Sequence, residues 1–314
     1  MEQSFVAWAK MRSHRLPQVK LGIGDDAALM DVGGAQDLVV TTDTMMEGTH
    51  FRSAEVELRR IGRKLVRVNL SDLAAMAAEP EAVFLSMCIP TSDERAADWI
   101  ASEIYEGVCE VCEQHEVALA GGDTNCWDGP LVLSLTATGR VSDGQVWRRG
   151  GAQAEDLIVV TGPLGGSITG KQFDFTPRFD VAKQLRGHVG VHAAMDISDG
   201  LSVDLLRMCD ASSCGGILEL DKIPISDAAK DLVETSGKQP VEHALGDGED
   251  FELLLAIAPE SFAEVQEILG AESAIAVGEF TSRTGLWMRE GSRIYQLTLS
   301  GYVHGRGHLH EREK

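Results

Sequence analysis

Apolar residues recur along this chain in two rhythms, and the change from one to the other marks out its elements. Leu58, Ile61, Leu65, Val68, Leu73 and Met76 fall near every third or fourth position, the spacing of one face of a helix. Ala97, Ile100, Ile104, Val108, Val111 and Cys112 do the same for a second long helix, with Tyr105 at the edge of the stripe. Leu131, Leu133 and Leu135 alternate with Val132, Ser134 and Thr136, as in a strand with one buried face. Short apolar runs at 38–40, 84–90, 117–120 and 157–160 read as buried strands. The first of these stops on Thr41, Thr42 and Asp43 at the strand's carboxyl end, and the third ends on Gly121, Gly122 and Asp123. Further strands are predicted at 216–220, 251–258, 274–280 and 293–299, and helices at 1–15, 201–208 and 260–269, with 165–178 irregular. Helices and strands do not alternate strictly, which predicts an α+β fold rather than a doubly wound parallel sheet. A polar, glycine-containing stretch around 147–156 divides the chain into domains at 1–150 and 151–314.

Composition narrows the classes. A chain of 314 residues with 44% hydrophobic and 25% charged residues is that of a globular protein with two ordinary cores. No apolar run approaches the roughly 20 residues that cross a bilayer, so no membrane association is expected. The opening Met1-Glu-Gln-Ser lacks a basic segment followed by an apolar core, and the expected location is the cytoplasm. Six cysteines are too sparse for a disulfide framework, and Cys109-x-x-Cys112 sits in a helical stripe, where packing explains it. His308 and His310, in the tail, need no metal to explain them. A formal net charge of −21 argues against a nucleic-acid partner. Most of that excess is solvated surface, and anionic substrates fit the balance only if cations are recruited to the site.

One theme repeats in both halves. Asp25, Asp26, Asp43, Asp72, Asp123, Asp196 and Asp199 each stand beside glycine, serine or threonine at a predicted strand end or helix start. Each alone has a bland explanation as a cap or turn residue. Together they are clustered carboxylates, which repel unless cations balance them. Zinc would call for His and Cys, absent from these motifs, whereas hard oxygen donors suit Mg²⁺ shared with substrate phosphates. Gly165-Gly-Ser-Ile-Thr-Gly170-Lys171-Gln172 nearly matches a phosphate-binding P-loop, but fails at Gln172, where a hydroxyl should reach Mg²⁺.

The motifs Leu21-Gly-Ile-Gly-Asp-Asp26, Thr41-Thr-Asp-Thr44, Gly48-Thr-His-Phe51, Asn69-Leu-Ser-Asp-Leu-Ala-Ala-Met76, Gly121-Gly-Asp-Thr124, Arg149-x-Gly-Ala152, Asp196-Ile-Ser-Asp-Gly-Leu201 and Gly248-Glu-Asp-Phe-Glu-Leu253 run through nearly the whole chain. In them it resembles the thiamine-monophosphate kinase family, within the superfamily of aminoimidazole ribonucleotide synthetase. The resemblance implies an N-terminal domain with a mixed sheet and helices that forms a homodimer, and a C-terminal sheet-and-helix domain. It implies direct transfer of the ATP γ-phosphoryl group to thiamine monophosphate. Carried over by motif, Asp26, Thr41, Thr42, Asp43, Asp72, Asp123, Asp196 and Asp199 would coordinate several Mg²⁺ ions. Tyr105, Gly122, Arg149 and Ser198 would contact ATP, and His50, Glu249 and Tyr302 the thiamine monophosphate. No protein nucleophile is required, since positioning and charge neutralisation carry most of such a transfer.

Two departures from the family's pattern stand out. The segment 165–178 is shorter than the family's basic loop before Pro177-Arg178, and the glycines before Glu249 read Gly246-Asp247-Gly248, which adds a carboxylate. Sister families that make selenophosphate carry a reactive cysteine or selenocysteine near the N-terminal glycine loop, whereas the first cysteine here is Cys88. Two alternatives stay open: a related kinase acting on another phosphorylated small molecule, and a non-catalytic acidic cation-binding protein.

Overall fold

The computed structural model describes residues 2–13, 16–303 and 307–308; Arg15 and the tail from 309 on, His310 included, lie outside them. The first half runs α1 (Glu2–Arg12), β1 (Val19–Leu21), β2 (Ala28–Met30), β3 (Gln36–Met46), α2 (Leu58–Ala75), β4 (Glu79–Pro90), α3 (Ala97–Gln114), β5 (Ala118–Trp127) and β6 (Val132–Ser142). The second half continues with β7 (Leu157–Val160), α4 (Lys171–Asp174), α5 (Phe179–Leu185), β8 (Val191–Asp196), α6 (Leu201–Ser212) and β9 (Gly215–Glu219). There follow α7 (Asp227–Asp231), α8 (Val233–Ser236), α9 (Pro240–Gly246), β10 (Leu253–Ile257), α10 (Phe262–Leu269), β11 (Ile275–Thr281), β12 (Gly285–Glu290) and β13 (Arg293–Gln296), then a small pair, β14 (Tyr302–Val303) and β15 (Gly307–His308).

Two mixed sheets carry this order, and the fold is α+β. The first is arranged β1-β2-β3-β6-β4-β5, antiparallel except for β4 beside β5, which α3 connects. The second is arranged β13-β12-β9-β11-β7-β10-β8, antiparallel except for β9 beside β12. In the first sheet only one face is covered: Val39, Leu85, Leu133 and Leu135 pack under Leu65, Leu70 and Leu73 of α2 and Ile104 and Val108 of α3. The second sheet is covered on both faces, which is why every residue of β10 is buried.

Helices α2 and α3 lie unusually close, and two glycines permit it. A Cβ on Gly62 would stand 2.2 Å from the Ile104 carbonyl oxygen, and one on Gly107 would stand 2.0 Å from that of Arg59. Helix α2 also faces the second half, for Ala75, its last residue, and Ala77 just beyond join a core with Ala194, Leu253 and Leu255. This long helix of the first domain is thereby the floor on which the second domain packs.

Strand β3 departs from the sequence reading. It does not stop at Thr41–Asp43 but continues to Met46, paired residue for residue with β6 down to Val132. β5 likewise continues through Asp123 to Trp127. Polar side chains end an apolar run in the sequence, yet their backbones go on pairing. The segment 165–178 is also more ordered than expected, since it holds α4 and a single 3₁₀ turn at Ser167–Thr169.

Candidate phosphoryl-transfer site

The two-residue period of β3 turns Thr41 and Asp43 toward α2 and Thr42 toward the open face of the sheet. Thr41 Oγ1 donates to Asp72 Oδ2 on α2 at 2.5 Å. One helical position before it, Ser71 Oγ donates to Asp196 Oδ2 at the end of β8, 2.6 Å away. Asp26, in the glycine-containing turn between β1 and β2, completes the group. Carboxylate oxygens of Asp26, Asp72 and Asp196 all lie within 4.8 Å of one another. Two residues come from the first domain and one from the second.

The electrostatics are those of a site made for positive charge. Burial pushes the Asp43 carboxyl up to about 6, against the pull of its hydrogen bond with Asp72. Burial, reinforced by the charge of neighbouring carboxylates, raises Asp72 and Asp196 well above the ordinary range. Burial and the adjacent Asp26 push Asp25 up to about 6. Buried oxygens Oδ2 of Asp26 and of Asp43 have no hydrogen-bond donor. An all-oxygen donor set with unpartnered buried carboxylate oxygens fits a hard divalent cation such as Mg²⁺.

Basic and backbone groups frame this cluster. Arg149 Nη2 donates to Asp26 Oδ1 at 2.5 Å, and the Arg149 N–H donates to Asp25 Oδ1 at 3.1 Å. Asp199 and the buried Asp204 both accept from Arg207. Asp204 also accepts the N–H groups of Ser198 and Asp199, fixing the turn that precedes α6. Burial pushes Asp204 up to about 7, the Asp199 charge adding to it.

On the other side stand the residues expected at the second substrate. Glu249 holds a left-handed backbone with φ 53°, costly for a non-glycine residue, and its N–H donates to the Ser198 carbonyl at 2.7 Å. The Tyr302 N–H donates to the Asp199 carbonyl at 3.1 Å. His50 Nδ1 accepts the Met46 N–H at 3.0 Å. The extra carboxylate of Asp247 is fully engaged, accepting the Gly166 N–H and facing His243 Nδ1. It braces the short 165–178 segment. Lys171 donates to Glu252 at 2.8 Å and to the Pro163 carbonyl, and Arg178 pairs with the same Glu252.

Three expected residues lie apart from the cluster within one chain. Tyr105, Gly122 and Asp123 line a separate groove of about 370 Å³ with Leu85, Met87 and Leu119. Asp123 pairs across to Ser86, which pairs to Ser134 and so to Thr44, leaving two strands between β5 and β3. At about 4.8 Å per strand that is a separation of about 14 Å. Thr42, on the open face, bonds only within the sheet among the contacts described, to the Leu135 carbonyl and Thr136.

Sequence reading passed over Lys64, Ser71, Asp204 and Arg207. A signal existed for Lys64, a charged residue three positions after Ile61 on the apolar stripe of α2. Nothing distinguished Asp204 or Arg207 from ordinary helix-surface charges.

Residues 24–141 match the family model described as AIR synthase related protein, N-terminal domain, and residues 153–288 match that of the C-terminal domain. A thiamine-monophosphate kinase of Rhodopirellula baltica is 44% identical over 313 residues, covering 97% of this chain and 98% of that protein. The crystal structure of thiamine-monophosphate kinase from Stenotrophomonas maltophilia is 33% identical with a TM-score of 0.71, covering 91% of this chain and 94% of that one. A solved structure described as AaThiL complexed with AMPPCP and TMP has a TM-score of 0.78 and covers 94% of this chain and 96% of its own; at 24% identity it speaks for the fold.

Proposed function

This chain belongs to the thiamine-monophosphate kinase family, and from that premise we infer that it transfers the γ-phosphoryl group of ATP to thiamine monophosphate, giving thiamine diphosphate. The observation that carries the reading is the carboxylate cluster of Asp26, Asp72 and Asp196, contributed by both domains, with buried Oδ2 of Asp26 and of nearby Asp43 lacking any donor. Two anionic substrates can meet in an acidic cleft only if cations are drawn in, and Asp26, Thr41, Asp43, Asp72, Asp196 and Asp199 are the groups that would hold Mg²⁺ there. Bound there, the metal supplies charge neutralisation at the phosphate oxygens. Arg149 and the Ser198 turn orient the nucleotide, and Glu249, His50 and Tyr302 orient the acceptor. The chain offers in-line positioning rather than a covalent intermediate.

The remaining assigned residues make sense in a homodimer. The first sheet leaves one face uncovered, and β5 is a ten-residue edge with its side chains exposed. Such an edge invites pairing with a second copy. Docked through this sheet, a second copy brings its Tyr105, Gly122 and Asp123, with the face that bears Thr42, toward the carboxylate cluster of the first. ATP as donor agrees with the cytoplasmic setting expected from the sequence. Among the described residues no helix is long and apolar enough to cross a membrane.

The test is product formation by purified protein given ATP, thiamine monophosphate and Mg²⁺, followed by chromatography of thiamine diphosphate. Mg²⁺-dependent product is expected. ATP consumption with another phosphorylated acceptor but none with thiamine monophosphate would overturn the acceptor, and cation binding without nucleotide binding would overturn the kinase reading.

A further inference from the structure

Lys64 is fully buried, among the largest side chains so placed in the described residues, a position lysine almost never takes without a reason. Its ammonium carries three protons and has three acceptors. Nζ donates to Glu249 Oε1 at 2.7 Å, to Gln172 Oε1 at 3.0 Å and to the His50 carbonyl at 3.1 Å. The Phe173 ring lies under it, 4.7 Å from Nζ to the ring centroid. His50, Gln172 and Glu249 come from three separate segments of the two domains, and two of them were assigned to the acceptor. Lys64 itself stands on the eighteen-residue helix α2, which is pinned to α3 and to the first sheet.

We propose that Lys64 is a positioning residue for the acceptor: from a rigid helix it fixes the Glu249 carboxylate and the loops bearing His50 and Gln172 in the geometry that receives thiamine monophosphate. The proposal rests on the kinase reading above. Glu249 keeps about a third of its side chain exposed, so one of its oxygens is tied to Lys64 while the carboxylate still faces solvent. Its left-handed backbone is held by the bond to Ser198, and its side-chain carboxylate by this ammonium. Without the ammonium the Glu249 side chain is released in a turn that no helix or strand supports. Lys64 bonds to none of the cluster carboxylates in the contacts described, so its influence falls on the acceptor side and not on the nucleotide.

The experiment compares Lys64→Met, Lys64→Gln and Glu249→Gln, alone and combined, by steady-state kinetics against each substrate, with thermal melts and nucleotide binding as checks on folding. Lys64→Met is expected to raise KM for thiamine monophosphate by about tenfold and to leave KM for ATP within about twofold. In the Glu249→Gln background the same change adds about twofold or less, because the group it positions is already altered. Lys64→Gln, which keeps a hydrogen-bond donor, falls between Met and wild type. Equal losses against both substrates, a lowered kcat with both KM values unchanged, or full additivity with Glu249→Gln would overturn the proposal. So would failure of both Lys64 variants to fold, which would make the lysine a stability residue. An inactive wild-type protein would instead refute the kinase reading, which separates the two failures.

Discussion

Asp43 lies on a strand whose alternation aims it at a helix carrying Asp72, and burial pushes its carboxyl up to about 6. A folded-state pKa raised above the unfolded value of about 4 means that the folded protein holds this proton more tightly. Its contribution to stability is therefore fully present below about pH 4, falls as pH rises toward about 6, and stays low above that. Asp43→Asn removes the charge without the shape. The metal-free variant is expected to melt above wild type at pH 8, with the difference about halved at pH 5 and closed by about pH 4, while its turnover with Mg²⁺ drops by about a hundredfold or more. Melting curves in chelator and initial rates in Mg²⁺ check both halves; a variant that unfolds would return Asp43 to a structural role. The recurring Asp motifs made this group visible in sequence, because small neighbours flank every one. Asp204 and Arg207 were invisible, since their significance lies in which backbone N–H groups and carboxylates they meet after folding.

Elements were legible where the apolar rhythm was long. Helices α2 and α3 follow their stripes closely, and β6 follows its alternation of leucines. Legibility failed where polarity and backbone pairing part company: β3 and β5 continue through threonines, glycines and aspartates because their neighbours in the sheet still offer partners. It failed again for β12 and the short helices α5 and α9, whose lengths are too small for any period to emerge. The crossing of α2 and α3 could not be read at all, since a glycine in a helix looks like a weak position until a backbone lies against it. Gly107→Ala tests this. Its Cβ would meet the Arg59 carbonyl at 2.0 Å, so the helices must separate, and a loss of about 2 kcal/mol is expected in denaturant unfolding. An unchanged midpoint would show that the pair tolerates a wider crossing.

At the scale of the whole molecule, the α+β class followed from the order of elements and the expectation of two parts from the polar stretch around 147–156, whereas the distance between Asp123 and the cluster followed from neither. Three strand spacings set that distance, and strand order is not written in periodicity. The dimer reading turns this into a measurable outcome. Co-expressed Asp123→Asn and Asp196→Asn chains, each inactive alone, are expected to recover about one quarter of wild-type activity, because half the dimers then carry one intact site. No recovery would mean that Asp123 serves its own chain or none.

The hydrogen bond from Ser71 to Asp196 joins the long helix of one domain to a strand end of the other, and Asp72 sits beside it. The carboxylates that face each other there belong to different halves, so the repulsion a cation relieves is also a force prising the halves apart. A divalent cation bound there, as proposed, would act as a latch, and the closure of the two halves would then follow the free divalent cation of the medium as much as any contact inside the chain.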